Sequence, residues 1–204
     1  MKIIGIGKNY VNDLKDLPSS EVVPLIFTKP DSSLLENDAD LELPKFSNDV
    51  WYEVELAFRI GTTCKNASEA EALNFVDAIA LANDLTAKDV LKQSREPNKG
   101  PWALAKGFDG ATPISKFLPI SDFPDVTDIN FKLEVNGEER QLGNSGLMIT
   151  SLAKLIHYVS GIMTLNPGDI LLSGTPAKGV AKIESGDLMI GYLEGQQMFR
   201  TKVN

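Results

Sequence analysis

The chain has one cysteine and one histidine among 204 residues. A lone Cys64 excludes an internal disulfide and any cysteine-cluster metal site, and reads as an inert thiol. A lone His157 excludes histidine-rich zinc chemistry, and its expected place on a helix surface leaves no obvious Ser-His-Asp or Cys-His arrangement. It sits between Ile156 and Tyr158 on an expected helix, turned about 100° from Ile156 toward Lys154 and Ser160, so it is expected to face solvent or a helix flank. No segment is long and apolar enough to span a bilayer. Internal repeats, low-complexity tracts and Pro/Gly/Ser-rich linkers are absent as well. Basic residues are the minority: 20 Lys+Arg against 28 Asp+Glu leave a net charge of −8. That balance argues against wrapping nucleic acid or lying on an anionic membrane, both of which reward basic patches. An acidic protein can still bind an anionic substrate if a divalent cation supplies the local positive charge.

What is present suffices for a core. The chain is 43% hydrophobic and 24% charged, ordinary for a globular protein. At this length folding buries roughly 70% of the surface that the unfolded chain exposes, and one domain over residues 1–204 is expected. The opening MKIIGIGKNY breaks at Gly5 and Gly7 without a small-residue cleavage pattern. It reads as a first strand rather than a signal peptide, with the cytoplasm as the expected location. Strand patterns predict residues 2–6, 24–28, 52–60, 130–136, 139–142, 169–173 and 187–193, with Asn136-Gly137 as a hairpin turn. Two helices are predicted. One starts at Ser68, with Glu71 at capping-box spacing. The other starts near Ser151, with Leu152, Leu155, Ile156, Val159 and Met163 on one stripe. PGDILLSG and SGDLMIGY each feed a short strand from a Gly-Asp turn. The class expected is α+β, rich in β-strand.

WYEVELAFRIG, residues 51–61, alternates apolar Tyr52, Val54, Leu56, Phe58 and Ile60 with Glu53, Glu55, Ala57 and Arg59. This is the pattern of a half-buried strand, and it places Glu53 and Glu55 roughly 7 Å apart on one face, where they either converge on a cation or lie in water. In ALANDLTAKDVL, residues 80–91, the Asp84 carboxylate emerges at the end of a buried segment. Together the three acids offer an all-oxygen shell suited to Mg²⁺ or Mn²⁺ rather than zinc. GPWALAKGFDGATPIS carries Lys106 in a neutral, glycine-framed stretch, where it either binds a carboxylate or enolate or is a surface lysine. In LLSGTPAKGV, Gly174, Thr175 and Pro176 follow a strand. Backbone N–H groups and the Thr175 hydroxyl there are placed to hold an anion.

In this order, GIGKNY, FTKP, YEVELAFRIG, LANDLTAKDV, GPWALAKGFDGATPIS, the VNGE hairpin, LNPGDILLSGTPAKGV and SGDLMIGYLEG resemble the fumarylacetoacetate hydrolase family. The likeness is to its short members, the acylpyruvate hydrolases, oxaloacetate decarboxylases and 2-hydroxyhepta-2,4-diene-1,7-dioate isomerases. It covers nearly the whole chain. The resemblance implies a mixed β-roll, a homodimer, and a divalent cation, Mg²⁺ or Mn²⁺, on Glu53, Glu55 and Asp84. It also implies that Lys106 contacts the substrate, that Thr175, following Gly174, touches its carboxylate end, and that Lys29 lines the edge of the site. The substrate implied is a small 2-oxo acid, cleaved, decarboxylated or isomerised through a metal-stabilised enolate.

The departures from the family pattern are informative. Active hydrolases carry a histidine and, three residues on, a glutamate after Asn-Tyr, a dyad that activates water under a lid formed by this N-terminal segment, here residues 1–20. In this chain NYVNDLKDL puts Asp13 and Asp16 at those places. Asp13 cannot act as a neutral imidazole, although an aspartate with a raised pKa can take a proton. Ala87-Lys88-Asp89 replaces the family's Ala-Arg-Asp, Leu91 stands where a glutamine is usual, and Trp51 or Tyr52 where a histidine is common. The resemblance therefore implies that metal binding is kept while the water-activating apparatus is altered. Weight moves from hydrolysis toward decarboxylation or keto–enol isomerisation. An alternative reading is a catalytically weak protein that binds 2-oxo acids or oxalate.

Overall fold

The computed structural model describes residues 1–36, 38–93 and 100–204. All seven expected strand regions form, and they sort into two sheets. The larger has six strands in the spatial order Leu25–Lys29, Ile3–Gly7, Ile170–Leu172, Val54–Ile60, Val76–Asn83, Leu118–Pro119. Only Ile3–Gly7 and Ile170–Leu172 run parallel; the other neighbours are antiparallel. The second sheet is an antiparallel set ordered Glu138–Asn144, Asn130–Val135, Leu188–Leu193, Gln196–Lys202. The two Gly-Asp units thus end in different sheets, one feeding Ile170–Leu172 and the other Leu188–Leu193. Asn136 and Gly137 both take positive φ, 56° and 79°, as a two-residue turn matched to strand twist requires.

Val54–Ile60 is buried on both faces rather than half-buried. Val54, Leu56, Phe58 and Ile60 join Phe131, Leu133, Met189 and Phe199 of the second sheet in the main core. On the opposite face Ala57 packs with Ile3, Ala80, Ala82, Ile170 and Leu172. The helix expected near Ser151 forms as Leu152–Ile162, with Leu152, Leu155, Ile156 and Val159 buried. His157 is exposed on that helix, its Nδ1 2.6 Å from the Ala67 carbonyl oxygen. Cys64 is buried and unpaired.

The helix expected from Ser68 does not form. The Ser68 hydroxyl does donate to Glu71 at 2.7 Å. Beyond it the chain makes only a 3₁₀ turn, Ala72–Phe75, and then enters the Val76–Asn83 strand. Pairing that segment with Val54–Ile60 buries Ile79 and Leu81 completely, and such tertiary burial outweighs the local helical preference of an alanine-rich stretch. Gln196–Lys202 is a further strand outside the predicted set; Glu194 and Gly195, with φ of 46° and 77°, turn it back onto Leu188–Leu193.

Leu81 is fully buried and reaches across to Gly191 of the second sheet. Leu81→Ala is expected to lower unfolding free energy by about 2–5 kcal/mol, through lost transfer energy and the cavity left behind. Leu142→Ala, at a side chain on a residue 64% exposed, is expected to change it by less than about 0.5 kcal/mol. Urea denaturation of both variants tests this; equal losses would contradict the assignment of Leu81 to the contact between sheets.

Candidate metal and substrate site

Sheet register brings the acids together. Val54 pairs with Asn83 in antiparallel strands, so Glu53 and Asp84 each lie one residue beyond that pair at the same end of the sheet. The contact is locked from both sides. Asp84 N–H donates to the Glu53 carbonyl at 2.7 Å, and Glu53 N–H to the Asn83 side-chain oxygen at 2.8 Å. Glu55 lies two positions along from Glu53 and shares its side of the chain. The neighbouring strand pairs Leu172 with Ala57, which delivers Gly174 and Thr175 to this end as well. A carboxylate oxygen from each of Glu53, Glu55 and Asp84 lies within 4.8 Å of the others.

Three lysines compensate these charges. Lys106, last residue of the short helix Trp102–Lys106, donates to Glu53 at 2.9 Å and also to Asp84. Lys29 donates to Asp84 Oδ1 and, at 2.8 Å, to the Ala111 carbonyl. Lys88 donates to the other oxygen of Glu53. Burial opposes ionisation of Asp84, yet Lys106 and Lys29 outweigh it and hold the carboxyl below its usual range. Burial likewise opposes the charge on Lys106, which Asp84, Glu53 and Glu55 together hold above the usual lysine range. Glu55 is the exception. Among the described residues its one hydrogen-bond donor is Gly174 N–H, at 2.8 Å, and burial followed by the Asp84 charge pushes its carboxyl well above the usual range.

The acids open onto a cavity of about 360 Å³, also lined by Tyr10, Phe27, Trp102, Lys106, Thr175 and Pro176. Phe27 and Trp102 stack with centroids 5.2 Å apart. Several expectations change here. Lys29 lies buried beneath Asp84 rather than at the edge of the site. The Gly174 N–H, expected to help hold a substrate anion, is instead taken by Glu55. Gly174 has φ +95°, and a Cβ there would lie 2.9 Å from Asn9 Cβ, so this turn against Asn9 requires glycine. Asp13 and Asp16 are not brought to the acids; neither lines the cavity. Both lie on the exposed segment before Leu25–Lys29, where Asp13 caps the 3₁₀ turn Leu14–Asp16. The Asp13 carboxyl is lowered, not raised, by the Lys15 backbone N–H and ammonium.

The residues missed from sequence are Lys88, Tyr10, Trp102 and Gln141. Lys88 stands four residues after Asp84 in a segment already marked by its departure from the family pattern. Tyr10 is buried, with its hydroxyl 3.2 Å from Ser173 Oγ. Gln141 was hidden in a strand whose alternation alone says nothing of hydrogen bonds.

The raised Glu55 carboxyl has a thermodynamic consequence. In metal-free protein the folded state holds this proton at pH values where the unfolded state has lost it. Stability therefore falls as pH rises from the ordinary glutamate range toward the raised value. Glu55→Gln, which keeps an acceptor for Gly174 N–H, is expected to raise the melting temperature of EDTA-treated protein at pH 7–8, with the gain shrinking as pH is lowered toward about 4. Differential scanning fluorimetry across pH checks this; a lower melting temperature at pH 8 would count against a buried, under-compensated Glu55.

Comparison with known proteins shows the family. Residues 2–204 match the family model described as fumarylacetoacetate (FAA) hydrolase, C-terminal. The chain is 37% identical over 203 residues to the mitochondrial oxaloacetate tautomerase of Bos taurus, covering 98% of this chain and 90% of that one. Among solved structures, 5-carboxymethyl-2-hydroxymuconate delta-isomerase from Mycobacterium smegmatis superposes with TM-score 0.90 at 32% identity, over 99% of this chain and 78% of the other. Fumarylpyruvate hydrolase from Pseudomonas aeruginosa, solved with Mn²⁺ and pyruvate, superposes with TM-score 0.89 at 28% identity, over 100% and 89%. The chain is an enzyme of the fumarylacetoacetate hydrolase family.

Proposed function

We propose that this enzyme is divalent-metal-dependent and acts on small 2-oxo acids through an enolate, in keto–enol tautomerisation or decarboxylation rather than hydrolysis. The observation that carries the reading is the group of Glu53, Glu55 and Asp84 around Lys106, opening onto one cavity. The donor set is all oxygen, which fits Mg²⁺ or Mn²⁺. Glu55 is the acid of the cluster to which no lysine among the described residues donates, and a further cation would favour its ionised form. When bound, that ion supplies positive charge against the carboxylate and 2-oxo oxygens of the substrate and lowers the energy of the enolate. The names and ligands of the relatives, a tautomerase and a hydrolase holding Mn²⁺ and pyruvate, support this reading.

This chain's own groups do the rest. Lys106, held charged by its three carboxylate neighbours, is a second fixed positive charge for the developing enolate oxygen. Thr175 offers a hydroxyl to the substrate carboxylate. The Phe27–Trp102 stack narrows the cavity and limits water. Tautomerisation moves one proton between the carbon next to the 2-oxo group and the 2-oxo oxygen; decarboxylation releases CO₂ and returns a proton to that carbon. Hydrolysis needs in addition a base that aims water at a distal carbonyl. The corresponding position is Asp13, whose lowered pKa makes it a weak base and whose side chain is paired with Lys15.

The test follows the ultraviolet enol absorbance of oxaloacetate, acetylpyruvate and fumarylpyruvate with Mg²⁺ or Mn²⁺, with and without EDTA, and identifies products. EDTA-sensitive tautomerisation or decarboxylation of oxaloacetate is the expected result. Glu53→Gln is expected to fall to the protein-free rate, and Lys106→Met to lower kcat about 10²–10³-fold, the cost typical of removing one group that stabilises developing charge. Cleavage of an acylpyruvate to pyruvate and a carboxylic acid would instead establish hydrolysis. No turnover, with metal and oxalate still stabilising the fold, would leave a binding protein.

A further inference from the structure

Gln141 lies on Glu138–Asn144 of the second sheet and is 1% exposed. Its amide orientation is set by a group that can only donate: the Val54 backbone N–H reaches Gln141 Oε1 at 2.9 Å. The amide nitrogen therefore faces Thr175, and Nε2 donates to Thr175 Oγ1 at 2.8 Å. A hydroxyl has one proton and two lone pairs. With a lone pair of Thr175 engaged by Gln141, its proton must find an acceptor elsewhere, and no acceptor among the described residues takes it. Thr175 lines the cavity beside Glu53, Glu55 and Asp84.

We infer that Gln141 is a positioning residue: by donating to Thr175 Oγ1 it turns the threonine proton away from itself and toward the cavity, where it can be donated to an anionic oxygen of the substrate carboxylate. The inference rests on the 2-oxo-acid reading of the site. It makes Gln141 the joint between two parts of that site, because Val54 stands between Glu53 and Glu55 while Thr175 lies on the loop after Ile170–Leu172. One amide from the second sheet thereby ties the start of the acid-bearing strand to the hydroxyl that faces the ligand. Without it, the hydroxyl is free to rotate and accept rather than donate, and an anion gains nothing from an acceptor.

The probes are Mn²⁺ alone and oxalate with saturating Mn²⁺, oxalate presenting two adjacent carboxylates like the oxygens of a 2-oxo acid. Free Mn²⁺ is followed by electron paramagnetic resonance and oxalate by calorimetry, for wild type, Gln141→Met, Thr175→Val and the double variant. Gln141→Met is expected to weaken oxalate about tenfold, the scale of one hydrogen bond to a charged group, while Mn²⁺ affinity stays within about twofold. In the Thr175→Val background the Gln141 change is expected to have less than about twofold further effect, because both remove one donor. Multiplicative losses, or an unchanged oxalate affinity in Gln141→Met, would overturn the inference.

Should Gln141→Met lose Mn²⁺ affinity or fail to fold, Gln141→Glu keeps an acceptor for Val54 N–H but, when ionised, has no proton to donate to Thr175, and is expected to weaken oxalate further. Thr175→Ser, which keeps the hydroxyl, is expected to bind like wild type where Thr175→Val does not; equal binding by both would also sink the inference. Failure of wild type to bind oxalate with either Mg²⁺ or Mn²⁺ is a different result: it removes the 2-oxo-acid reading itself, and this inference with it.

Discussion

Three carboxylates held at one end of a sheet, out of water, are the constraint around which the rest of this protein is arranged. Placing Glu53, Glu55 and Asp84 within 4.8 Å of one another sets like charges together where the dielectric does little to screen them. Such a cluster persists only if positive charge or protons neutralise it. The chain supplies Lys29, Lys88 and Lys106 from three separate segments. Glu55 is left with a backbone N–H and a raised pKa. Three ammonium groups thus face three carboxylates, and Glu55 is the least compensated of the acids.

The fold explains how so many ionisable groups tolerate burial. Register places Glu53 and Asp84 just past the Val54–Asn83 pair, and their backbones are hydrogen-bonded to each other rather than to water. Below them, both faces of Val54–Ile60 are packed, one against the second sheet and one against a small alanine-rich cluster. Small Ala57, Ala80 and Ala82 let other segments approach that face closely. The acids therefore stand on a rigid platform, with buried partners on all sides except the cavity. A site that must keep its geometry while its charges change is well served by strands rather than loops.

On the proposed reading, this arrangement also separates ligand binding from the segment that would activate water. The groups that would grip a metal and a 2-oxo acid come from the sheet end, the Trp102–Lys106 helix and the loop after Ile170–Leu172. The segment carrying Asp13 and Asp16 lies apart, exposed and paired within itself. On the proposed reading, change in that outer segment would alter the reaction while leaving the groups proposed to stabilise the enolate in place. Relatives named as tautomerase, isomerase and hydrolase on one fold are consistent with such a division.

Much of this was legible in the residues before any coordinates. Alternation along residues 51–61 marked a strand and put Glu53 and Glu55 on one side; Asn136-Gly137 marked its hairpin; Leu152, Leu155, Ile156 and Val159 marked a helix. These are local signals, written in period and turn chemistry, and they survive folding because tertiary contacts reinforce them. Asp84, Lys106 and Thr175 stood out as candidates in their own segments; the family resemblance, carried by motifs spread along nearly the whole chain, chose between the alternatives left open for them and added Lys29. Sequence alone could not decide which end of which strand meets which. The Val76–Asn83 strand hid behind a capping signal and an alanine-rich stretch, and only pairing with Val54–Ile60 made it a strand. Nor could sequence show that Lys29 lies under Asp84, that Gly174 spends its N–H on Glu55, or that Gln141 holds Thr175. Those contacts join residues 34 to 119 positions apart, and no local pattern records them, because hydrogen bonds across a core are set by packing and register rather than by neighbours in the chain.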